Sequence, residues 1–500
     1  MSNYFYNLLK IFMINKISNT GFNFDNSYIE LPPEFYSPAN LQPVKSPQLV
    51  ILNNELSNSL GLNTDFLKSQ EGIYIMSGNI KIPDGAYISQ AYAGHQFGGF
   101  TMLGDGRALL IGEQITPSNQ RFDIQLKGSG RTPYSRNGDG RAVLGPMLRE
   151  YIISEAMHGL NIPTTRSLSV ISTGENVYRE TIQQGAILTR VASSHIRFGT
   201  FEYAAYMLDY EKLKKLSDYT IKRHFPFLEN NENKYINLLD EVIKLQASLV
   251  AKWQSVGFIH GVLNTDNMSI CGETIDYGPC AFMDVYNPDT VFSSIDTNGR
   301  YAYKNQIAIV NWNLYRLAET LLPIINLDEN KAIELAQNSL SKFINLATSN
   351  LSHEMCSKIG IFEPKTSDID LLNELLNMMQ KYKEDYTNTF IALTFNDLPQ
   401  KGMFISEEFI NWKKKWEETL TLQNKSKDEV FDLMKNSNPA VIPRNHRVEE
   451  ALSAANNRDF SVMNNLLKAL SNPFEHSEFQ KEYAKLPSTP QCNYRTYCGT

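Results

Sequence analysis

Up to about residue 200 this chain alternates in the manner of strands and collects glycines, and from there on its apolar residues recur at helical spacing. That order contains no internal repeat and no low-complexity tract. It fits an α+β protein with a strand-containing N-terminal lobe and a mainly helical C-terminal lobe. The glycines are densest from Tyr92 to Gly112, at Gly94, Gly98, Gly99, Gly104, Gly106 and Gly112. Leu109–Ile111 and Phe122–Lys127 read as strands on either side of a turn. A polar, glycine-broken loop then runs from Gly128 to Gly140. Leu144–Leu160 reads as an amphipathic helix with Leu148, Ile152 and Ala156 on one face, stopped by Asn161-Ile162-Pro163. Leu168–Ser172 and Gly185–Val191 read as further strands. Leu49–Leu62 has helix-like spacing in an otherwise irregular start. Helices are expected at Ile236–Trp253, Asn311–Leu322, Asp328–Ala347, Ile369–Lys383, Glu407–Leu422 and Val448–Ala455. Pro323 should separate the second from the third, with Asp328 as an N-cap. From Ser471 the proline-rich, polar tail is expected to be extended.

Bulk properties exclude several function classes. The 500 residues suit two or three domains, and 42% hydrophobic with 20% charged residues is the balance of a packed globular protein. A net charge of −7 argues against a general nucleic-acid binder. No run of about 18 apolar residues exists, so no membrane-spanning helix is expected. Residues 1–13 lack a charged n-region and a cleavage site, so no signal peptide is expected, and Met13 is an alternative start. The five cysteines, 271, 280, 356, 492 and 498, are too few and too irregularly spaced for a secreted disulfide framework or a Cys-x-x-Cys zinc site. A soluble protein of a reducing compartment is the expectation, with a bacterial cytoplasm the better reading.

The chemistry concentrates in two regions. The first is His260-Gly-Val-Leu-Asn-Thr-Asp266-Asn267, followed by Ile275-Asp276-Tyr277-Gly278. Phosphotransfer enzymes of the protein-kinase type write His-Arg-Asp-Leu-x-x-x-Asn, a strand, and Asp-Phe-Gly. His260, Leu263 and Asn267 keep that register, and Asp276-Tyr277-Gly278 takes the place of the last motif. The slot of the kinase base holds Val262, which cannot accept a proton, while a carboxylate reappears at Asp266. Asn267 and Asp276 offer hard oxygen ligands for Mg²⁺, and Asp266 is placed to take a proton from an attacking hydroxyl. The bland alternative is a pair of Asx turns on a hairpin.

The second region is the N-terminal glycine turn, Gly104-Asp-Gly106-Arg107, with Lys127 at the end of the next strand. Glycine-rich turns let backbone N–H groups approach phosphate, but an ordinary β-turn fits as well. Lys127 is either a solvated strand-end lysine or one of a Lys–Glu pair that holds the ammonium against phosphates; Glu150 and Glu155 both lie on the following helix, and spacing does not choose between them. Arg131, Arg136 and Arg141 in the loop, with Arg190 and Arg197 beyond it, either gather around an anion or form surface ion pairs.

These stretches together resemble the selenoprotein O (SelO) family of protein adenylyltransferases. The similarity rests on Tyr92-Ala-Gly-His-Gln-Phe-Gly-Gly-Phe, Leu103-Gly-Asp-Gly-Arg-Ala, Gln125-Leu-Lys-Gly-Ser-Gly-Arg-Thr-Pro-Tyr-Ser-Arg and Gly138-Asp-Gly-Arg-Ala-Val-Leu. It continues through Leu188-Thr-Arg-Val-Ala-Ser-Ser-His-Ile-Arg, Gly261-Val-Leu-Asn-Thr-Asp-Asn-Met-Ser, Thr274-Ile-Asp-Tyr-Gly-Pro, Ile442-Pro-Arg-Asn-His-Arg-Val-Glu-Glu-Ala and the final Cys-Gly-Thr. The resemblance implies a bilobal protein-kinase-like fold. Residues 1–75 would be an N-terminal extension, 76–200 the nucleotide-binding N-lobe, 201–425 the helical C-lobe with the catalytic loop, and 426–500 a helical extension with a Cys-containing tail. It further implies that ATP binds inverted relative to a kinase, so that AMP is transferred to a Ser, Thr or Tyr hydroxyl of a protein substrate and pyrophosphate leaves. By resemblance, Gly104, Gly106, Arg107, Lys127, Asp139, Gly140, Arg190, Arg197 and Asp276 would contact ATP. Lys127 would pair with Glu150, Asn267 and Asp276 would bind Mg²⁺ or Mn²⁺, and Asp266 would be the base. No nucleic-acid or membrane partner is expected, and the protein is expected to be a monomer. Many members carry selenocysteine near the C-terminus where this chain has Cys498, and a redox link between Cys498 and Cys280 is the corresponding hypothesis. The competing activities are γ-phosphate transfer through Asp266 and an ATP-binding pseudokinase scaffold.

Overall fold

A computed structural model describes residues 20–487 and 494–496; Cys492, Cys498 and the alternative start at Met13 lie outside them. The chain is α+β and divides into two compact units. The first takes in residues up to Tyr151 together with Thr165–Thr220, and the second Ile152–Thr164 together with the chain from Ile221.

The first unit is built on one antiparallel sheet. In chain order its strands are β1 (Tyr36–Pro38), β2 (Gln48–Leu52), β3 (Ile88–Gln90), β6 (Ala108–Ile115), β7 (Arg121–Lys127), β8 (Ala142–Val143), β9 (Arg166–Tyr178) and β10 (Ile182–Ala192). A separate hairpin, β4 (Ala93–Gln96) and β5 (Gly99–Met102), fills the glycine-rich stretch between β3 and β6. The spatial order is β1-β3-β6-β7-β10-β9-β2, with β8 attached to β10. Leu109, Ile111, Ile124 and Leu126 pack with Leu168, Ile171, Ile187 and Val191 into one apolar cluster on this sheet. The register pairs Lys127 with both Ala108 and Leu188, and Gln125 with both Leu110 and Arg190. Three strands thus bring the glycine turn, Lys127 and Arg190 to one end of the sheet.

The second unit is mainly helical. Its central helix, Lys234–Ser255, buries Leu238, Leu239, Val242, Val250 and Trp253 and runs into a two-stranded ribbon, β11 (Phe258–Ile259) with β12 (Ala281–Phe282). The whole His260-to-Cys280 stretch is the connection of that ribbon. Behind it lies an apolar core that joins Ile259 and Ala281 to Leu375, Met379, Tyr386, Phe390, Trp412 and Trp416.

Four expectations about the bounds of helices and the tail fail. Leu49–Leu62 is not a helix: β2 pairs with β9, and Asn53 ends it by capping a short helix, Asn54–Ser59, through Leu56 N at 3.0 Å. Pro323 does not break its helix, which runs Gln306–Ile325. It lies near the end and on the exposed face, where water can take the carbonyl its ring leaves without an N–H. Asp328 caps as expected, but Asp328–Ala347 is divided into Glu329–Leu340 and Lys342–Ser357. The tail after Ser471 forms a helix at Glu478–Tyr483, started by a Ser477–Gln480 capping box.

Candidate active site

The glycine turn is held by the loop that follows Lys127. Asp105 is buried and accepts hydrogen bonds from Gln90 N (3.2 Å) and Gln125 Nε2 (3.0 Å). Thr132 donates to the Asp105 carbonyl at 2.6 Å, and Ser135 donates to that of Gly106. Gly104 has φ +112°, and a Cβ there would lie 2.5 Å from the Tyr134 ring. The tyrosine therefore sets one requirement for glycine, which spacing alone could not separate from close approach to a phosphate.

Lys127 is not a solvated strand-end lysine. It is buried, and its Nζ lies 2.6 Å from Glu150 Oε2. The same carboxylate meets Arg190, whose Nη1 is 3.4 Å from Oε1 and whose Nη2 donates to Gln125 Oε1 at 2.6 Å. Glu150 lies on the helix Leu144–Gly159, which buries Leu148, Ile152 and Ala156 but also most of its other residues, so it is not the amphipathic helix that the spacing suggests. A single carboxylate thus orients two cations at the sheet end, a charge-assisted arrangement of the kind that fixes phosphate-binding groups.

Arg197 begins the helix Phe198–Met207, and its buried guanidinium stacks 4.7 Å over the Tyr92 ring. The preceding turn is anchored by His195, which directs both its backbone N and Nδ1 to Asp123 Oδ2 at 2.9 Å. Burial pushes the His195 imidazole down to about 4, against the opposing pull of Asp123, so the ring is neutral near pH 7. Sequence reasoning missed His195 and Asp123. The available signal was the Ser-Ser-His-Ile-Arg run next to an alternating strand with one buried Asp.

The polar loop is less uniform than its composition suggests. Arg141 donates to the carbonyls of Ser129 (3.0 Å) and Gln42 (3.3 Å), and Arg131 to that of Gly138 (2.9 Å), so both stiffen the loop. Asp139 receives a bidentate Arg179, at 2.9 Å for each bond, and accepts from Arg141 N. The Arg179 bonds, assisted by that N–H, hold the Asp139 carboxyl below its ordinary range. Gly140, at φ +66°, packs with its Cα side against the Gly130 carbonyl.

In the second unit several side chains fix the His260 loop by bonding to its backbone. His260 Nε2 donates to the Ile275 carbonyl at 2.9 Å, tying the start of the loop to the residue before Asp276. Burial lowers the His260 pKa, which keeps the ring a neutral Nε2 donor. Gln306 accepts from His260 N at 3.1 Å and donates to Phe258 O at 2.9 Å. Asn313 donates to Leu263 O at 3.0 Å, and Tyr301 donates to Asn264 Oδ1 at 2.6 Å. Asp266, which is buried, and Asn267 fall in a single 3-10 turn, Thr265–Asn267. Asn267 Nδ2 donates to the Val262 carbonyl at 2.9 Å, which turns the amide oxygen to the other side. Val262 itself is buried.

Asp276 adopts φ +60°, a left-handed conformation uncommon for a residue with a side chain and one that clusters at functional sites. Gly278 N closes the turn onto the Asp276 carbonyl at 2.8 Å. Tyr277 is buried and bonds Thr164 through its hydroxyl; Trp253 Nε1 donates to Thr274 Oγ1 at 2.9 Å. The donor set suits a hard cation that takes few protein ligands: one amide oxygen and one carboxylate, with other positions for water and phosphate. Among the described residues no group of three or more His, Cys, Asp or Glu side chains gathers as a metal cage. Cys280, next to Pro279, is buried.

Comparison with known proteins places the chain in a family. Residues 19–471 match the sequence model described as "Protein adenylyltransferase SelO". The chain belongs to the SelO family. Its relatives in that family include proteins named "Protein nucleotidyltransferase YdiU". That of Bacillus cytotoxicus is 62% identical over 97% of this chain and 99% of its own length. That of Clostridium beijerinckii is 60% identical over 97% and 99%. That of Halalkalibacterium halodurans is 59% identical over 96% and 98%. The SelO match covers both regions described above, the sheet end with Lys127 and Glu150 and the loop with Asp266, Asn267 and Asp276. No helix among the described residues is long and apolar enough to cross a membrane.

Proposed function

We propose that this protein transfers AMP from ATP to Ser, Thr or Tyr hydroxyls of other proteins, on a bilobal scaffold of the protein-kinase type. The first unit serves as the nucleotide-gripping part and the second as the part that carries the catalytic loop. The observation that carries the reading is the His260 loop. It keeps the anchoring His and the cation-binding Asn of a phosphotransfer loop, puts apolar Val262 where a kinase keeps its base, and buries Asp266 in the turn beside Asn267. Membership of the SelO family supports the choice of AMP over phosphate.

Lys127, oriented by Glu150, binds phosphate oxygens together with Arg107, Arg190 and Arg197. Gly104, Gly106, Asp139 and Gly140 shape the turn and loop that receive the nucleotide. Asn267 and Asp276 would hold Mg²⁺ or Mn²⁺, which supplies charge neutralisation for the phosphates when bound. The acceptor hydroxyl oxygen attacks the α-phosphorus while the bond from that phosphorus to the bridging oxygen of the β-phosphate breaks. Pyrophosphate leaves with that electron pair, and the hydroxyl proton passes to Asp266. A redox link between Cys498 and Cys280 is a separate proposal, tested by the activity and gel mobility of Cys498→Ser with and without oxidant.

The deciding experiment supplies Mg²⁺ with ATP labelled at the α- or the γ-phosphate. Protein label from α-labelled ATP alone is the expected result. Label from γ-labelled ATP alone would show a kinase, and ATP binding with no label from either would show a scaffold.

A further inference from the structure

The C-terminal residues Tyr494–Thr496 lie against the chain just past Asp276. Thr496 is buried, and its hydroxyl is 2.6 Å from the Pro279 carbonyl and 3.2 Å from that of Phe292. Thr496 N donates to Phe292 O at 2.8 Å and Ser294 N donates to Thr496 O at 3.0 Å, so the segment adds a parallel bridge to residues 292–294. The Tyr494 ring packs edge-on to Phe292, with centroids 6.0 Å apart, and its hydroxyl donates to Glu449 Oε1 at 2.6 Å. On its other side the Pro279 carbonyl meets Gly261, where a Cβ would come within 2.6 Å of the oxygen. Pro279 is therefore clasped between the foot of the His260 loop and the tail.

We infer that Thr496 is a positioning residue for Asp276, its hydroxyl fixing the Asp276–Pro279 turn by holding the Pro279 carbonyl. The inference rests on the reading that Asp276 binds the metal. A left-handed, non-glycine Asp276 persists only where its surroundings over-determine it. The Gly278-to-Asp276 bond closes the turn from within, and Thr496 together with Gly261 closes it from outside. The tail's role is thus set by a hydroxyl-to-carbonyl bond and does not depend on the oxidation state of a thiol.

The test compares Thr496→Val, which keeps shape and loses the hydroxyl, with Thr496→Ser, which keeps the hydroxyl, under reducing conditions. Two quantities are read: the Mg²⁺ concentration for half-maximal incorporation from α-labelled ATP, and amide hydrogen exchange across residues 276–283 with neither nucleotide nor metal present. Thr496→Val is expected to raise the Mg²⁺ requirement about tenfold and to speed exchange at Gly278, with Thr496→Ser close to wild type in both. Wild-type Mg²⁺ dependence and exchange in Thr496→Val would overturn the inference, as would a Thr496→Ser protein no better than the valine variant. An inactive wild type would count against AMP transfer, not against the tail, because the exchange measurement decides the latter by itself.

Discussion

Replacing Arg444 with methionine should be among the most destabilising single changes in the second unit. Arg444 is fully buried. Its Nη1 lies 2.6 Å from Asp284 Oδ1 and 2.9 Å from Asp385 Oδ2, and its Nη2 lies 3.0 Å from Asp385 Oδ1. Asp385 is itself buried and also caps the helix Tyr386–Phe395 through Asn388 N at 2.7 Å. Methionine fills much of the volume but leaves two carboxylates facing one another in a site with little water. Removing one partner of a buried ion pair costs about 3–5 kcal/mol, which for a unit of this size lowers its melting temperature by about 10 °C. The sign of the pH dependence separates this cause from lost packing. Burial already raises the Asp284 pKa, opposed by the Arg444 charge. Without Arg444 the folded-state pKa of Asp284 moves further up, and a group raised in the folded state contributes stability below its unfolded pKa that is lost as pH rises through the folded value. The deficit of Arg444→Met should therefore be largest at pH 7.5 and shrink as pH falls toward about 4. Scanning calorimetry of wild type and variant at several pH values measures it. A loss below about 1 kcal/mol, or a deficit that does not change between pH 7.5 and 5, would refute the reasoning.

Glu150→Gln removes the carboxylate that both Lys127 and Arg190 bond; kcat/KM for ATP should fall about a hundredfold, read by initial rates with α-labelled ATP, and a change below threefold counts against the pair as the cation-orienting element. Asp276→Ala should abolish metal-dependent transfer, whereas Asp266→Ala should lower kcat by about 10²–10⁴ while leaving ATP binding by calorimetry intact; wild-type turnover in either removes its assigned role. The His195 imidazole is depressed from 6.5 to about 4, so its contribution to stability is complete above pH 6.5 and is lost as pH falls toward 4. Wild type should lose roughly 3 kcal/mol more than His195→Gln between pH 7.5 and 4, measured by denaturant unfolding, and parallel pH profiles for the two proteins would contradict a buried neutral His195.

Legibility in the sequence follows the range of the forces involved. The helix Lys234–Ser255 buries one face, and a buried face writes a period into the chain, whereas the strands Arg121–Lys127 and Ile182–Ala192 and the helix Leu144–Gly159 are buried on more than one side. Leu49–Leu62 misleads because Leu49, Ile51, Leu56 and Leu60 satisfy both a strand and a helix template. Asn53 decides between them by a capping bond that only the folded backbone reveals. The hairpin β4–β5 escaped for the opposite reason: Phe97, Phe100 and Met102 stay exposed, so no buried face imposes a period.

The His260 loop was readable for a different reason than the residues that hold it. Asp266, Asn267 and Asp276 stand at fixed offsets within the loop, so their register survives in the sequence as a motif. Gln306, Asn313 and Tyr301 stand at no such offset. They lie 46, 50 and 37 residues from the atoms they bond, and each meets a demand of the folded state, a buried loop N–H, carbonyl or amide. Any polar side chain of suitable reach on or just before the helix Gln306–Ile325 could serve, so no pattern announces them. Arg444 and Thr496 belong to the same class, arriving from the C-terminal part of the chain to grip Asp284 and Pro279 on either side of β12. The Asp276 turn, proposed to bind the metal, is thus specified locally, and its rigidity is specified by distant residues. Substitutions in the second group should change how tightly Asp276 is held without changing what it can bind.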